Sequence, residues 1–183
     1  GAVCGPCLVR PPPWDAAMAP LHYGYPVRQM LQQLKYEGRL LRSRLFGELL
    51  GHWARRRRQS VDVLLPVPLH ARRWRQRGFN QARELAMAAA RVLNLPLVDD
   101  WCMRLTDTPP LWDLPAARRR AVLKGAFKAT AEVRGRRIAL VDDVLTTGAT
   151  ASTITDTLSR AGAERVEVWA VARAGLNQTG SKT

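Results

Sequence analysis

The densest group of chemically useful side chains lies between residues 140 and 150. An apolar stretch ends at Val141 and is followed by two adjacent carboxylates, Asp142 and Asp143. A run of small residues comes next: Thr146, Thr147, Gly148, Ala149 and Thr150. Carboxylates accept hydrogen bonds from hydroxyl groups, and the beginning of a helix offers backbone N–H groups to an anion.

The two halves of this string fit the two ends of one small ligand. Open α/β sheets bind ligands beyond the carboxyl ends of their strands, which is where Asp142 and Asp143 are expected. Their carboxylates suit vicinal ribose hydroxyls, while Gly148 lets a phosphate approach the backbone closely. The string therefore predicts a site for a ribose 5-phosphate.

Two other interpretations compete with this one. The carboxylates could simply end a strand and Thr150 could simply cap a helix, but a pattern of eleven consecutive residues favours a site. A Walker B strand also ends an apolar run in acidic residues, yet it requires G-x-x-x-x-G-K-[ST] elsewhere in the chain. The sequence contains no such motif, which excludes this alternative.

The elements that must position residues 140–150 alternate between predicted strands and predicted helices. Apolar runs at 61–67, 137–141 and 166–172 predict buried strands, and Leu97 and Val98 could begin a shorter one. Helical spacing predicts helices at 26–36, 40–57 and 80–93 and a further one that ends at Gly162. We therefore predict an α/β fold with a mostly parallel sheet and helices on both faces.

Details within these elements are also predictable. The helix at 40–57 carries Leu41, Leu45, Leu49 and Trp53 on one face. Asn80 is better suited to cap the next helix than to bind a ligand. A basic loop is expected at 70–78, and the proline-containing stretch at 106–124 has no clean period, as in a lid.

The domain boundaries follow from composition. Residues 1–20 are turn-rich and include three consecutive prolines, which predicts a small appendage of the zinc-knuckle type. Residues 21–175 are expected to form the main domain and residues 176–183 a tail. No run reaches the roughly 18 apolar residues that a membrane span requires, and we expect a cytoplasmic protein.

The net charge of +14 points to an anionic partner. Nucleic acids, anionic membrane surfaces and phosphorylated metabolites all meet that description. Trp74 lies within a cluster of arginines, a combination that suits stacking beside phosphate contacts. A solvated basic surface accounts for the same composition equally well, so the charge leaves the partner open.

The cysteines do not form a disulfide framework. Cys4 and Cys7 are spaced as one half of a tetrahedral zinc site. The other half could precede Gly1 or could include a histidine such as His22. Cys102 stands alone as a small apolar residue.

Several motifs resemble a known family. The string at 141–150 resembles the PRPP-binding motif of type I phosphoribosyltransferases, where PRPP is 5-phosphoribosyl 1-diphosphate. The motifs LPVPLH at 65–70, RGFNQ at 77–81 and KY at 35–36 are similar to the ComF/GntX family. The C-x-x-C at 4–7 and GAF at 125–127 match that family as well. The resemblance implies a fold like that of type I phosphoribosyltransferases, with an amino-terminal zinc knuckle. It also implies a link to natural competence or the use of external DNA.

Roles for individual residues follow from this resemblance. Asp142 and Asp143 would hold the ribose 2′ and 3′ hydroxyls of PRPP, with Mg²⁺ bound alongside. The 5-phosphate would be cradled by Thr146, Thr147, Gly148, Ala149 and Thr150. The diphosphate would meet the loop after the first predicted strand and the arginines beyond it: Pro68, Leu69, His70, Arg72, Arg73 and Arg77.

The resemblance is incomplete at two places. A second C-x-x-C is absent, so Cys4 and Cys7 supply only part of a zinc site. Val122 stands where the family tends to carry Asn, which weakens a base-recognition role for that segment.

Three functions remain open from the sequence. The first is transfer of a phosphoribosyl group from PRPP to an unidentified acceptor, for which no catalytic residue is assigned. The second is a single-stranded-DNA-binding accessory factor that works beside a competence helicase. The third is a regulator that senses PRPP or a nucleotide. We rank the phosphoribosyltransferase-like protein of DNA uptake first.

Overall fold

A parallel β-sheet forms the centre of the protein. A computed structural model of the chain describes residue 8 and residues 11–34, 40–57, 60–108 and 122–175. The strands in these ranges are β1 (Ala16–Met18), β2 (Leu21–His22), β3 (Val63–Pro66), β4 (Cys102–Arg104), β5 (Phe127–Ala129), β6 (Arg137–Leu145) and β7 (Arg165–Arg173). The main sheet has the order β1-β7-β6-β3 with all neighbours parallel, and β2 also pairs with β7.

Two further pairings extend this arrangement. Leu97 forms a parallel bridge with Leu64, on the edge of β3 that faces away from β6. Strands β4 and β5 form a separate antiparallel ribbon. The carboxyl ends of β3, β6 and β7 consequently meet at one edge of the sheet, because parallel strands all end on the same side.

Helices cover both faces of the sheet, as the sequence predicts. They are α1 (Val27–Gln33), α2 (Leu40–Arg56), α3 (Ala71–Arg77), α4 (Gln81–Leu93) and α5 (Ala149–Arg160). Along β6, Ala139 and Val141 belong to the core under α2 and α4. Ile138 and Leu140 belong to the core under α5 and the β4–β5 ribbon. This alternation is the period-two pattern of a strand buried on both sides.

The predicted basic loop at 70–78 is wrong, because this stretch forms the helix α3. His70 caps the helix, since its side chain accepts a hydrogen bond from the Arg72 N–H at 3.3 Å. Gly78 ends it in a left-handed conformation with φ of 76°. Arginine is a good helix former, but the stretch carries no apolar period that would have indicated a helix.

The chain joins the main sheet inside the range predicted as an appendage. Strand β1 pairs with β7 from Ala16 onward. Asp15 precedes it: its N–H donates to the Val166 carbonyl at 2.9 Å and its carboxylate accepts from the Val166 N–H at 2.8 Å. Cys4 and Cys7, the tail at 176–183 and most of the stretch at 106–124 lie outside the described residues.

The contact between α2 and α4 also differs from the sequence pattern. Leu41 and Leu45 are 78% and 55% exposed, whereas Phe46 and Leu50 of the same helix are buried. The helices approach closely at Gly47, where an added Cβ would lie 2.4 Å from the Leu85 carbonyl oxygen. A leucine-based pattern missed this contact because a glycine contributes no apolar side chain.

Within the described ranges, no helix combines the length and the apolar character needed to cross a bilayer.

The close contact at Gly47 makes Gly47→Ala a test of the helix packing. Alanine is intrinsically better in a helix by about 1 kcal/mol, but the new methyl group would overlap the α4 backbone. We expect a net loss of about 1–3 kcal/mol in the free energy of unfolding, measured by urea denaturation. His52→Ala, at an exposed position of α2, serves as the control with little expected change. Equal or greater stability of Gly47→Ala would contradict this packing.

Candidate functional site

A cavity of about 440 Å³ lies at the carboxyl ends of β3 and β6. Its walls come from the end of β6 with the first turn of α5, from the loop after β3 and from the start of α4. Arg73 and Arg77 of α3 and Arg104 of β4 complete them. Small-molecule sites typically have volumes of about 300–1,000 Å³. The cavity is therefore large enough for one phosphorylated sugar.

Asp142 and Asp143 line this cavity from within β6, which continues to Leu145 rather than ending at Val141 as predicted. Each carboxylate accepts a hydrogen bond from the backbone N–H of the following residue, at 2.8 Å in both cases. These bonds orient the two side chains. A carboxylate has about four acceptor positions, so hydroxyl groups of a ligand can share it.

The phosphate-loop residues predicted from the sequence all line the same cavity. The loop itself is short, since β6 ends at Leu145 and α5 begins at Ala149. Gly148 is the N-cap residue, with φ of 74°, and no side chain caps the helix there. The first backbone N–H groups of a helix have no partner within the helix, and together with the helix dipole they favour an anion. This end of the cavity is therefore suited to an anion.

Trp14 supports this loop, and sequence reasoning missed it. A Cβ added to Gly148 would lie only 2.6 Å from Cη2 of Trp14, so the indole packs directly against the loop backbone. Trp14 is partly buried against the core on the α5 side, and the neighbouring Asp15 is anchored to Val166. No local pattern could have revealed this contact, because it joins two distant parts of the chain.

Asn80 holds the loop that follows β3. Its side-chain carbonyl accepts a hydrogen bond from the Ala82 N–H at 3.0 Å, which confirms the predicted helix cap. Its amide also donates to the Val67 carbonyl at 3.0 Å, while the Val67 N–H donates to Val141 at 2.8 Å. The loop is therefore tied both to α4 and to the strand that carries the carboxylates.

Three arginines give the cavity its positive side. Arg73 and Arg77 were predicted, whereas Arg104 was missed because it belongs to the short strand β4. Arg73 donates to the Thr108 carbonyl at 2.7 Å, and Arg104 donates to the Thr108 hydroxyl. Burial, followed by repulsion from Arg73, lowers the pKa of Arg104. An anion placed near these two guanidinium groups would favour their charged forms.

The other predicted diphosphate residues divide into two groups. Pro68 and Leu69 line the cavity. His70 and Arg72 do not line it, since His70 caps α3 and the Arg72 side chain is 69% exposed. Asp107 lies near both, with its carboxylate oxygens 3.9 Å from His70 Nδ1 and 3.5 Å from Arg72 Nη1.

The sheet order and the site together define a phosphoribosyltransferase-type domain. The family model for the phosphoribosyl transferase domain matches residues 80–180. The structure titled "allosteric regulatory enzyme of purine biosynthesis" aligns with a TM-score of 0.53 at 19% identity, covering 77% of this chain and 30% of that chain. Glutamine PRPP amidotransferase from B. subtilis, complexed with ADP and GMP, gives the same values. These two structures show the fold alone.

Similarity in sequence identifies the family within this class of domain: the chain belongs to the ComF/GntX family. It is 36% identical to competence protein F of Haemophilus influenzae over 180 residues, which cover 93% of this chain and 78% of that protein. It is 37% identical to DNA utilization protein YhgH of Escherichia coli K12 over 175 residues, covering 93% and 77%.

The contact between Trp14 and Gly148 predicts the effect of Gly148→Ala. The new methyl group would collide with the indole and would also disfavour the positive φ, so we expect a lower melting temperature and weaker phosphate binding. Gly135→Ala is the matched control, because Gly135 has φ of 68° and nothing within 4 Å of an added Cβ. The difference between the two variants isolates the Trp14 contact. Equal losses would contradict it.

Proposed function

We propose that this protein binds PRPP in the cavity at the ends of β3 and β6 and acts in natural competence or the use of external DNA. One observation carries the ligand assignment: paired carboxylates, an uncapped helix N-terminus and three arginines line a single cavity. The names of the relatives in H. influenzae and E. coli support the biological role.

The ribose 5-phosphate half of PRPP suits one end of the cavity. Asp142 and Asp143 would accept hydrogen bonds from the 2′ and 3′ hydroxyls, and the backbone from Thr146 to Thr150 would donate to the 5-phosphate. Hydrogen bonds that involve a charged group contribute about 1.5–3 kcal/mol each. These contacts supply both affinity and orientation for the sugar.

The diphosphate half suits the arginine side. Arg73 Nε lies 3.4 Å from an Asp107 carboxylate oxygen, so Arg73 is held beside the cavity by an internal anion. A guanidinium group can bind two oxygens of a phosphate at once. The diphosphate would draw Arg73, Arg77 and Arg104 towards it. It would replace Asp107 as the counter-charge of Arg73 or share that role with it.

Magnesium fits this site only as a partner of the ligand. Among the described residues, no cluster of three or more His, Cys, Asp or Glu side chains could hold a metal ion alone. Mg²⁺ commonly binds one or two carboxylates together with substrate phosphates, and Asp142 and Asp143 offer such oxygens. When bound, Mg²⁺ would neutralise charge on the diphosphate.

Transfer from PRPP would break the bond between ribose C1 and the diphosphate oxygen and form a bond from C1 to an acceptor. The chain would hold the ribose, stabilise the departing diphosphate with its arginines and orient C1. Of the described side chains that line the cavity, only those of Asp142 and Asp143 are carboxylates. The acceptor stays unassigned, and a sensor that binds PRPP without turnover would use the same contacts.

Calorimetric titration of PRPP with Mg²⁺ tests this assignment. We expect the wild type to bind, and the double variant Asp142→Asn/Asp143→Asn to bind about 100-fold more weakly or not at all, since two charged acceptors are lost. Asp156→Asn, at an exposed position of α5, is the matched control and should bind normally. Unchanged binding by the double variant would refute the ribose contacts.

A second candidate function is single-stranded DNA binding, which the surface of α3 favours. Trp74 is 53% exposed between Arg72 and Arg75, both also exposed. Aromatic rings among arginines bind bases by stacking and phosphates by charge. The competence helicase implied by the resemblance to the family stays a prediction.

The dependence of the affinity on salt concentration tests this second candidate function. We expect the affinity for a single-stranded oligonucleotide to fall steeply as salt rises, because each neutralised phosphate releases counterions. Fluorescence anisotropy at several salt concentrations measures the slope, and Arg72→Ala/Arg75→Ala should reduce it. An affinity independent of salt would count against this candidate.

A further inference from the structure

A second cavity, of about 680 Å³, lies beside the first. The two share wall residues Pro68, Leu69, Asn80 and Arg104. Leu97 pairs with the edge of β3 opposite β6, and Asp99 and the β4 residues that follow it line the second cavity. Along the carboxyl edge of the sheet, the order is therefore β6, then β3 with its loop, then the second cavity.

This order separates the second cavity from the acceptor side of the proposed reaction. In a direct displacement at C1, the acceptor approaches from the side opposite the departing diphosphate. The second cavity lies beyond the loop at Pro68 and Leu69, to which the diphosphate is assigned. An acceptor for PRPP would not attack C1 from the second cavity, so we expect this cavity to bind a different ligand.

The walls of the second cavity suit a flat aromatic ring. Trp74 and Met103 line it and remain 53% and 45% exposed, and Phe79 lies beside them. Exposed apolar side chains grouped in a cavity mark a binding site more often than scattered ones do. Cys102 adds another apolar wall, because burial raises the pKa of its thiol to about 12 and keeps it protonated.

The rim of this cavity offers both hydrogen-bond donors and acceptors. Arg83 Nε donates to Asp99 at 2.5 Å, and Arg83 Nη1 lies 3.8 Å from a Glu84 carboxylate oxygen. A purine or pyrimidine presents donors and acceptors side by side along its edge, which such a mixed set can match. A plain hydrocarbon ring would leave these groups unused.

The wall shared by the two cavities is cationic. Arg104 lines both, and Arg73 of the first cavity meets it at Thr108, to which both guanidinium groups donate. Burial, followed by repulsion from Arg73, lowers the pKa of Arg104, and the two guanidinium groups share one nearby carboxylate, that of Asp107, so an anion at this wall would add a second counter-charge. A ligand whose ring occupies the second cavity would thus carry a phosphate towards this wall.

We propose that the second cavity binds a nucleotide, with its base stacked on Trp74 and its phosphate at Arg104 and Arg73. The base edge meets Arg83, Glu84 and Asp99. The site goes beyond the proposed PRPP site but shares Arg73 and Arg104 with it. Nucleotide and PRPP therefore compete for these arginines, and nucleotide levels control how much PRPP the protein holds.

The test is titration of AMP, GMP, CMP and UMP into the wild type, followed by calorimetry and tryptophan fluorescence. We expect at least one to bind and to quench fluorescence. Trp74→Ala should weaken that binding about tenfold or more, and Trp74→Phe should retain most of it. Arg91→Ala is the charge control, since Arg91 is exposed near the end of α4 and lines neither cavity.

Further binding measurements distinguish the nucleotide site from the PRPP site. The Asp142→Asn/Asp143→Asn variant should bind the nucleotide normally, and Trp74→Ala should bind PRPP normally. Added PRPP should raise the apparent Kd of the nucleotide. The proposal is overturned if no nucleotide binds the folded wild type, if Trp74→Ala binds as the wild type does, or if only the aspartate variant loses binding. Binding of a single-stranded oligonucleotide without any mononucleotide binding would also overturn it.

Discussion

Parallel pairing of β6 with β3 on one side and β7 on the other is the constraint on which the site depends. This pairing buries β6 from Ile138 to Val141, and the same strand then delivers Asp142 and Asp143 to the edge of the sheet. Because β3 runs in the same direction, its following loop reaches that edge too. Carboxylates, phosphate loop and arginines converge there without any long excursion of the chain.

The site also depends on contacts that hold its loops against the sheet. Trp14 packs against the phosphate loop, and Asn80 ties the loop after β3 to α4. On the basic side, Thr108 accepts hydrogen bonds from both Arg73 and Arg104, which holds the two guanidinium groups close together. Asp107 lies 3.4 Å from Arg73, and the charge that this one carboxylate leaves uncompensated favours a further anion on this side of the cavity.

The sequence predicts those features that are encoded locally. The three long apolar runs, the fold class and the cap at Asn80 were predictable because strand and helix periods and cap chemistry act over a few residues. Strand β1, the support by Trp14 and the participation of Arg104 depend on contacts across the whole chain, which no local pattern encodes. The α2–α4 contact escaped prediction for a different reason, since it is made by the absence of a side chain at Gly47.

Amide chemical shifts measured during a titration test most directly whether residues 142–150 hold a ribose 5-phosphate. With ribose 5-phosphate added to ¹⁵N-labelled protein, this account predicts the largest shifts at Asp142, Asp143 and the amides of the phosphate loop and first turn of α5. The exposed start of α2 around Leu41 should stay unchanged. Saturable binding that leaves the amides of residues 142–150 unshifted would contradict this assignment.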